Sequence, residues 1–218
     1  GMALWRQAIA RCCPPDKPHA FITPAIDVDA FRVERFRSDG ERTLLSASAD
    51  RPLRILSVGR LEWVKGYEYA LRAAQLLAEA GVPFEYRIIG DGNYLEPLAF
   101  ARHEMGLEER VAFLGGRPQP EVRAQMAWAD VFVQASVSEG FCNAVIEAQA
   151  MGLPVVASDA GGLPENVADC RTGFVVPRRD PAAMAAKVAE LANDPALRRE
   201  MGAACRARVE NCFPLSRQ

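Results

Sequence analysis

Two glutamates, Glu139 and Glu147, are separated by seven residues in the stretch Ser138-Glu139-Gly140-Phe141-Cys142-Asn143-Ala144-Val145-Ile146-Glu147. A helix pattern begins at Asn143, so Glu139 should precede the helix and Glu147 should lie inside it. The unpaired N–H groups of such a helix start can bind an anionic diphosphate, and a carboxylate further along can accept hydrogen bonds from ribose hydroxyls. Alone, Glu147 could lie on a solvated helix face, and Glu139 could be an N-terminal charge that complements the helix dipole. Together with their spacing, they favour a nucleotide site.

A second segment that could carry chemistry is Gly59-Arg60-Leu61-Glu62-Trp63-Val64-Lys65-Gly66, directly after the first predicted strand. The Arg60 guanidinium can bind a diphosphate as a two-pronged fork, and Lys65 can bind it as a point charge. Either residue taken singly could be a surface cation beside a turn. Their position at a strand end favours a role in binding an anion.

Two glycine-containing turns follow other predicted strands. Gly90-Asp91-Gly92 resembles the start of a dinucleotide fingerprint, but Leu95 stands where the third glycine belongs. Gly115-Gly116-Arg117 is a similar strand end. Each is compatible with a tight turn or with close approach of the backbone to a nucleotide.

Other candidate groups carry less chemistry. Asp27-Val28-Asp29 matches the D-x-D pattern of metal-dependent sugar transfer, but it precedes the strand-helix alternation and we interpret it as structural. The two histidines, His19 and His103, have no evident partner for a catalytic triad. The six cysteines form no C-x-x-C pair, which favours reduced structural thiols over a zinc or redox site.

Length and charge set broad limits on the class of protein. The 218 residues suffice for one well-buried domain with an appendage, and the net charge of -2 gives no reason to expect a nucleic-acid partner. No apolar run approaches the roughly 18 residues of a membrane span, and the N-terminus lacks a secretory layout. We therefore predict a cytoplasmic protein.

The elements that must position these residues alternate regularly from residue 54 onward. Strands are predicted at 54–59, 84–89, 111–114, 131–134, 154–158 and 173–176, with helices at 66–80, 95–105, 120–129, 143–151, after Gly162, 181–192 and 195–212. This order predicts an α/β fold with a doubly wound, Rossmann-like parallel sheet, which binds ligands at the carboxyl ends of its strands. Residues 38–51 are polar and turn-rich and are predicted to form an exposed linker.

Three blocks of this sequence resemble one known family. They are the 59–66 segment, the double-glutamate segment, and Asp159-Ala160-Gly161-Gly162-Leu163-Pro164-Glu165. Together they resemble the C-terminal domain of retaining, metal-independent glycosyltransferases of the GT-B fold. The stretch from Ile26 to Phe31 resembles the junction between the two domains of that family, although Ala25 and Ile26 replace its usual asparagine and glycine.

The resemblance implies a role for each candidate. Arg60 and Lys65, on the loop that starts at Gly59, would hold the donor diphosphate, and the amides of Gly140, Phe141, Cys142 and Asn143 would cradle it. Glu139 would face the donor sugar and Glu147 the ribose. Gly90, Gly115, Gly116 and Arg117 would line the nucleobase pocket. No metal or other cofactor is implied, because the nucleotide sugar is a substrate.

The resemblance also implies a division of the chain and a set of partners. Residues 1–50 would be an N-terminal remnant with the junction and linker, and residues 51–218 the nucleotide-sugar-binding domain. A missing N-terminal domain would hold the acceptor, the full enzyme could touch a membrane peripherally, and the chain alone would bind donor without turning it over. The alternatives are a non-catalytic sugar-nucleotide subunit, a nucleotide-dependent oxidoreductase domain and a sugar-nucleotide epimerase.

Overall fold

The computed structural model of the chain describes residues 25–33, 36, 46–213 and 215. Its centre is a six-stranded sheet in the order β3-β2-β1-β4-β5-β6, in which every neighbouring pair is parallel. The strands are β1 (Leu53–Val58), β2 (Phe84–Ile89), β3 (Val111–Phe113), β4 (Val131–Gln134), β5 (Val155–Ser158) and β6 (Gly173–Val176).

Helices connect consecutive strands and cover both faces of the sheet. They are α1 (Tyr67–Glu79), α2 (Leu95–Glu104), α3 (Gln119–Trp128), α4 (Asn143–Ala150), α5 (Leu163–Asn166), α6 (Pro181–Asn193) and α7 (Pro195–Cys212). Two 3-10 turns, Val28–Phe31 and Trp63–Lys65, precede β1 and α1 respectively. Asp180 and Asp194 cap α6 and α7, and each is followed by a proline at the first helical position.

The apolar pattern explains why both faces are covered. β4 and β5 are buried along their whole lengths, as parallel strands between two helical layers must be. On one face Leu71, Leu98 and Val188 from α1, α2 and α6 pack on the sheet. On the other face, Met126 and Ile146 from α3 and α4 do the same. The predicted doubly wound α/β fold is confirmed.

The part of the junction that the structure describes is attached to the sheet domain. The Ile26 amide donates to the Phe213 carbonyl over 3.0 Å, and Phe31 is buried in the core on the face of the sheet that α3 and α4 cover. Of the predicted N-terminal remnant, junction and linker at 1–50, residues 1–24, 34–35 and 37–45 lie outside the described residues. At the end of that linker, the Ala47 amide donates to the carbonyl of Ala192 over 3.0 Å.

Both aspartates of the D-x-D triplet make hydrogen bonds or ion pairs with neighbouring residues. Asp27 Oδ1 accepts hydrogen bonds from the amides of Asp29 and Ala30 and so caps the first 3-10 turn. Asp29 pairs with Arg32 at 2.8 Å. Of the two histidines, His103 is exposed and pairs with Glu108, while His19 lies outside the described residues. Within the described ranges, no helix has the length and apolar character needed to cross a membrane.

Candidate functional site

The sheet order reverses direction between β1 and β4, and the loops that follow these two strands meet there. Such a switch point opens a crevice at the carboxyl ends of the strands. Lys65, from the loop after β1, donates from Nζ to Glu139 Oε2, from the loop after β4, over 2.6 Å. Their side chains are only 16% and 12% exposed. The structure therefore brings two of the predicted catalytic residues together as a largely buried ion pair.

Close backbone contacts hold these two loops against each other. Gly66 ends the Trp63–Lys65 turn with φ +64°, and a Cβ at this position would lie 2.3 Å from the carbonyl oxygen of Ala135. The Val137 amide donates to the Val64 carbonyl over 2.9 Å. A residue with a side chain would push the loops apart, so this glycine is required by both its conformation and its surroundings.

Buried hydroxyl and amide side chains that the sequence reading missed orient Glu139. Ser136 Oγ donates to Glu139 Oε2 over 3.2 Å, and Gln134 Nε2 donates to Ser136 Oγ over 2.7 Å. Ser158 Oγ donates to the Ser136 carbonyl over 2.5 Å. Two of these residues could have been found from the sequence, because Gln134 and Ser158 are polar residues at the ends of the apolar strands β4 and β5. A buried polar group needs a hydrogen-bond partner, so such a residue indicates a polar network at the strand end.

Arg60 does not join Lys65 in the structure. Its Nη1 donates to Glu62 Oε1 over 2.8 Å, and its side chain is 74% exposed. Arg60 and Lys65 therefore do not converge in this structure, and their joint binding of one anion stays a prediction. Because the Arg60–Glu62 pair is exposed, the arginine can leave it at little energetic cost.

The predicted row of backbone donors is present with one correction. Within the described residues, the amides of Gly140, Phe141 and Asn143 have no hydrogen-bond acceptor. The Cys142 amide instead donates to Asn166 Oδ1 over 3.1 Å, so in this structure it is not free to bind an anion as predicted. The Cys142 side chain is also buried, and this burial raises its pKa to about 11.

Glu147 lies on α4, half-buried beside α3. Gln119 Nε2 donates to Glu147 Oε1 over 3.3 Å. Burial raises the pKa of the Glu147 carboxyl above its ordinary value, while the Gln119 hydrogen bond and the charge of Arg123 act in the opposite direction. A carboxylate that already has one amide donor nearby is suited to accept hydrogen bonds from further hydroxyl groups.

The glycine turns after β1, β2 and β3 lie side by side. A Cβ on Gly90 would come within 1.9 Å of the Gly59 carbonyl oxygen, and the Gly90 amide donates to the Gly115 carbonyl over 3.0 Å. The Gly116 amide donates to Asp91 Oδ1 over 2.7 Å. These glycines let the backbones of neighbouring turns approach closely.

Arg117, the last residue of the predicted base pocket, is exposed. Its Nε donates to the Leu114 carbonyl over 2.9 Å, and its Nη1 lies 3.5 Å from Glu121 Oε2. The side chain therefore folds back onto its own turn and onto α3.

A cavity of about 450 Å³ lies at the amino ends of β4 and β5, whereas the switch-point crevice lies at the carboxyl ends of the strands. Asp130 and Pro154, which precede β4 and β5, line it together with Arg206. The Arg206 Nη1 group is used by the fold, because it donates to the carbonyls of Phe31 and Ala150 over 2.9 and 2.8 Å. This cavity is separate from the switch-point crevice.

Comparison with protein families identifies the chain's relatives. The family model described as glycosyl transferases group 1 matches residues 46–208. The amylovoran biosynthesis glycosyltransferase AmsK of Erwinia amylovora is 34% identical over 217 residues, which cover 96% of this chain and 51% of that protein. The GDP-mannose-dependent alpha-(1-6)-phosphatidylinositol monomannoside mannosyltransferase of Mycolicibacterium smegmatis is 33% identical, covering 92% of this chain and 54% of that protein. The chain thus spans about half the length of these relatives.

Solved structures agree on the fold. The Anabaena protein Alr3699/HepE in complex with UDP-glucose has a TM-score of 0.82 at 21% identity, covering 97% of this chain and 58% of that one. The C-terminal domain of the group 1 glycosyl transferase LpcC from Francisella tularensis has a TM-score of 0.74 at 22% identity, covering 87% of this chain and 99% of that one. The sheet domain is therefore built like the C-terminal half of GT-B proteins.

Proposed function

Since the chain belongs to the glycosyl transferases group 1 family, we propose that it is the donor-binding half of a glycosyltransferase and holds a nucleoside-diphosphate sugar at the switch-point crevice. Transfer would retain the configuration at the anomeric carbon, would need no metal, and would use an acceptor held by a second domain. The family match favours this reading over the oxidoreductase alternative.

The observation that carries the proposal is the contact between Lys65 and Glu139 beside unpaired backbone amides. An ammonium group has three N–H donors and Glu139 occupies one of them, so Lys65 can also bind a phosphate oxygen. The amides of Gly140, Phe141 and Asn143 add uncharged donors at the start of α4, where the helix dipole favours an anion. The Glu139 carboxylate would supply an acceptor for a hydroxyl group of the donor sugar.

These groups suit the charge changes of glycosyl transfer. When the bond between the anomeric carbon and the diphosphate oxygen breaks, negative charge develops on the leaving nucleoside diphosphate. Lys65 and the fixed amides would stabilise this charge most strongly in the transition state, where it is greatest. Arg60 would add a second cation after turning away from Glu62.

Calorimetric titration tests the proposed binding. We expect the chain to bind at least one of UDP, GDP and ADP, together with a corresponding sugar nucleotide, and to do so equally well in EDTA because no metal is required. The matching nucleoside should bind far more weakly, since the diphosphate provides the charged contacts. Failure of all three diphosphates to bind would contradict the proposal.

Binding should depend on pH through Glu147. The ionised carboxylate can accept hydrogen bonds from both ribose hydroxyls, so the nucleotide affinity should be complete above the raised pKa of Glu147 and should fall as the pH decreases through it. The free energy of unfolding changes with pH in the opposite direction. Because the folded state binds the Glu147 proton more tightly than the unfolded state does, folding becomes more favourable as the pH falls.

Titrations with nucleoside diphosphate between about pH 5 and pH 8 measure this effect, with Glu147→Gln as the control. The terminal phosphate of the nucleotide also titrates, near about pH 6, and it does so in the measurements on both proteins. The difference between the affinity profiles of wild type and Glu147→Gln therefore reports the glutamate alone. Identical pH profiles for the two proteins would contradict the assigned role.

A further inference from the structure

Two completely buried carboxamide side chains lie directly beneath the turn that carries the unpaired amides. Asn166 ends α5 and Gln149 lies in α4, and both are 0% exposed. Asn166 Oδ1 accepts the Cys142 amide hydrogen bond over 3.1 Å, and Gln149 Nε2 donates to the Asn166 carbonyl over 2.8 Å. The three residues thus connect α4 to α5, and α5 back to the turn from which α4 starts.

The Asn166 hydrogen bond satisfies the backbone N–H of the residue that precedes α4. Cys142 is the residue before α4, and its own side chain makes no capping hydrogen bond. A buried backbone N–H without an acceptor is costly, and helices usually satisfy the first ones with a nearby side chain. Here the acceptor comes from a different helix, 24 residues further along the chain.

The Asn166 hydrogen bond also sets the direction of the neighbouring amides. Cys142 has extended backbone angles, φ -103° and ψ 99°. Along an extended backbone, consecutive N–H groups point to opposite sides, as they do in a strand. With the Cys142 N–H directed to Asn166, the extended angles of Cys142 direct the next N–H, that of Asn143, away from Asn166. Neither the Asn143 N–H nor the Phe141 N–H has an acceptor within the described residues.

We propose that Asn166 is a positioning residue of the donor site, which fixes the Cys142 peptide so that the amide of Asn143 faces the diphosphate, with Gln149 holding Asn166 in place. The proposal rests on the function proposed above. Asn166 acts through the backbone of the turn and does not touch the substrate, because its side chain has no exposed surface.

The decisive comparison is Asn166→Ala against Asn166→Asp. The alanine variant removes the acceptor, and we expect it to bind the tightest of UDP, GDP and ADP about tenfold more weakly, since small displacements of binding groups cost affinity steeply. Hydrogen exchange of the Cys142 amide, followed by NMR in the free protein, should accelerate by about tenfold or more for the same reason.

The aspartate variant keeps an acceptor oxygen in the same place. Asn166 Nδ2 has no partner within the described residues, so its replacement loses no hydrogen bond. A carboxyl group buried at this position will lower the stability of the fold or take up a proton, but in either form it keeps an oxygen that can accept the Cys142 hydrogen bond, so the affinity is compared between folded proteins. We expect the affinity of Asn166→Asp to lie within about threefold of wild type. If Asn166 has a purely structural role, Asn166→Ala will have a lower melting temperature but the folded protein will bind with unchanged affinity. That result would overturn the proposal. An Asn166→Asp variant that binds as weakly as Asn166→Ala would overturn it as well.

Gln149→Met provides an independent variant should Asn166→Ala fail to fold. It keeps the side-chain volume and removes the donor to the Asn166 carbonyl, so it should accelerate Cys142 exchange and weaken diphosphate binding in the same direction; wild-type values for both would count against the proposal. If the wild type bound none of the three diphosphates, the donor function would fail, while exchange at Cys142 would still decide whether Asn166 holds the turn.

Discussion

Replacing Lys65 by methionine should destabilise the folded chain by about 3 kcal/mol, because it leaves the Glu139 carboxylate largely buried without its partner. Only 12% of the Glu139 side chain is exposed, so water cannot fully replace the lost ammonium. The same change should weaken nucleoside diphosphate binding by about tenfold or more, since a charge-assisted hydrogen bond contributes about 1.5–3 kcal/mol. Denaturant unfolding measures the first effect and calorimetry the second.

Two further variants separate these effects. Combining Lys65→Met with Glu139→Gln removes the unpaired charge, so stability should partly recover while diphosphate binding should not. Lys187→Met is a matched control: Lys187 also pairs with a glutamate, Glu190, at 2.8 Å, but its side chain is 39% exposed. This control should cost about 1 kcal/mol or less and leave nucleotide affinity unchanged. Equal losses for Lys65→Met and Lys187→Met would contradict the importance of the buried pair.

The sheet could be predicted from sequence because its signals are local. A parallel strand covered on both faces appears as a short apolar run, and each crossover helix has its own periodic pattern. The bounds of β2, β4, β6 and α7 agree with the prediction at both ends. The first strand differs by one residue at each end, as Leu53 joins the core and Gly59 belongs to the following turn.

The sequence could predict which loops form the site, because the candidate residues directly follow predicted strands. Strand order places the loops after β1 and β4 together, so the meeting of Lys65 with Glu139 follows from the doubly wound topology. The direction of an individual side chain does not follow, since it depends on contacts that one-letter sequence does not encode. For this reason the sequence could not indicate that Arg60 turns to Glu62.

The third family block acquires a physical explanation only in the structure. Gly161 has φ +53°, and a Cβ there would lie 2.0 Å from the Glu139 carbonyl oxygen, while the Gly162 amide donates to that same oxygen over 2.9 Å. The glycine pair after β5 therefore packs against the backbone of Glu139 and holds its carbonyl oxygen. Ser136 and Asn166 were missed for a related reason, since a single serine or asparagine gives no sequence signal of its depth in the fold.

Gly66→Ala should have the second large effect, because this position combines a left-handed backbone with direct contact to the loop after β4. A non-glycine residue in the left-handed region costs about 1 kcal/mol. In addition, the new Cβ would lie 2.3 Å from the Ala135 carbonyl oxygen, a backbone atom that cannot move alone. We expect a total destabilisation of about 3 kcal/mol, the range of severe packing strain.

Gly106→Ala isolates the contribution of the contact. Gly106 has the same φ of +64°, but nothing lies within 4 Å of its Cβ position, so only the backbone cost of about 1 kcal/mol should appear. Because relief of the contact at Gly66 must separate Lys65 from Glu139, Gly66→Ala should also weaken nucleoside diphosphate binding by about tenfold, whereas Gly106→Ala should bind like wild type. Denaturant unfolding and calorimetry of the two variants test both expectations. Equal stability losses would mean that the β1 and β4 loops tolerate separation, and unchanged affinity in Gly66→Ala would mean that their contact does not shape the anion site.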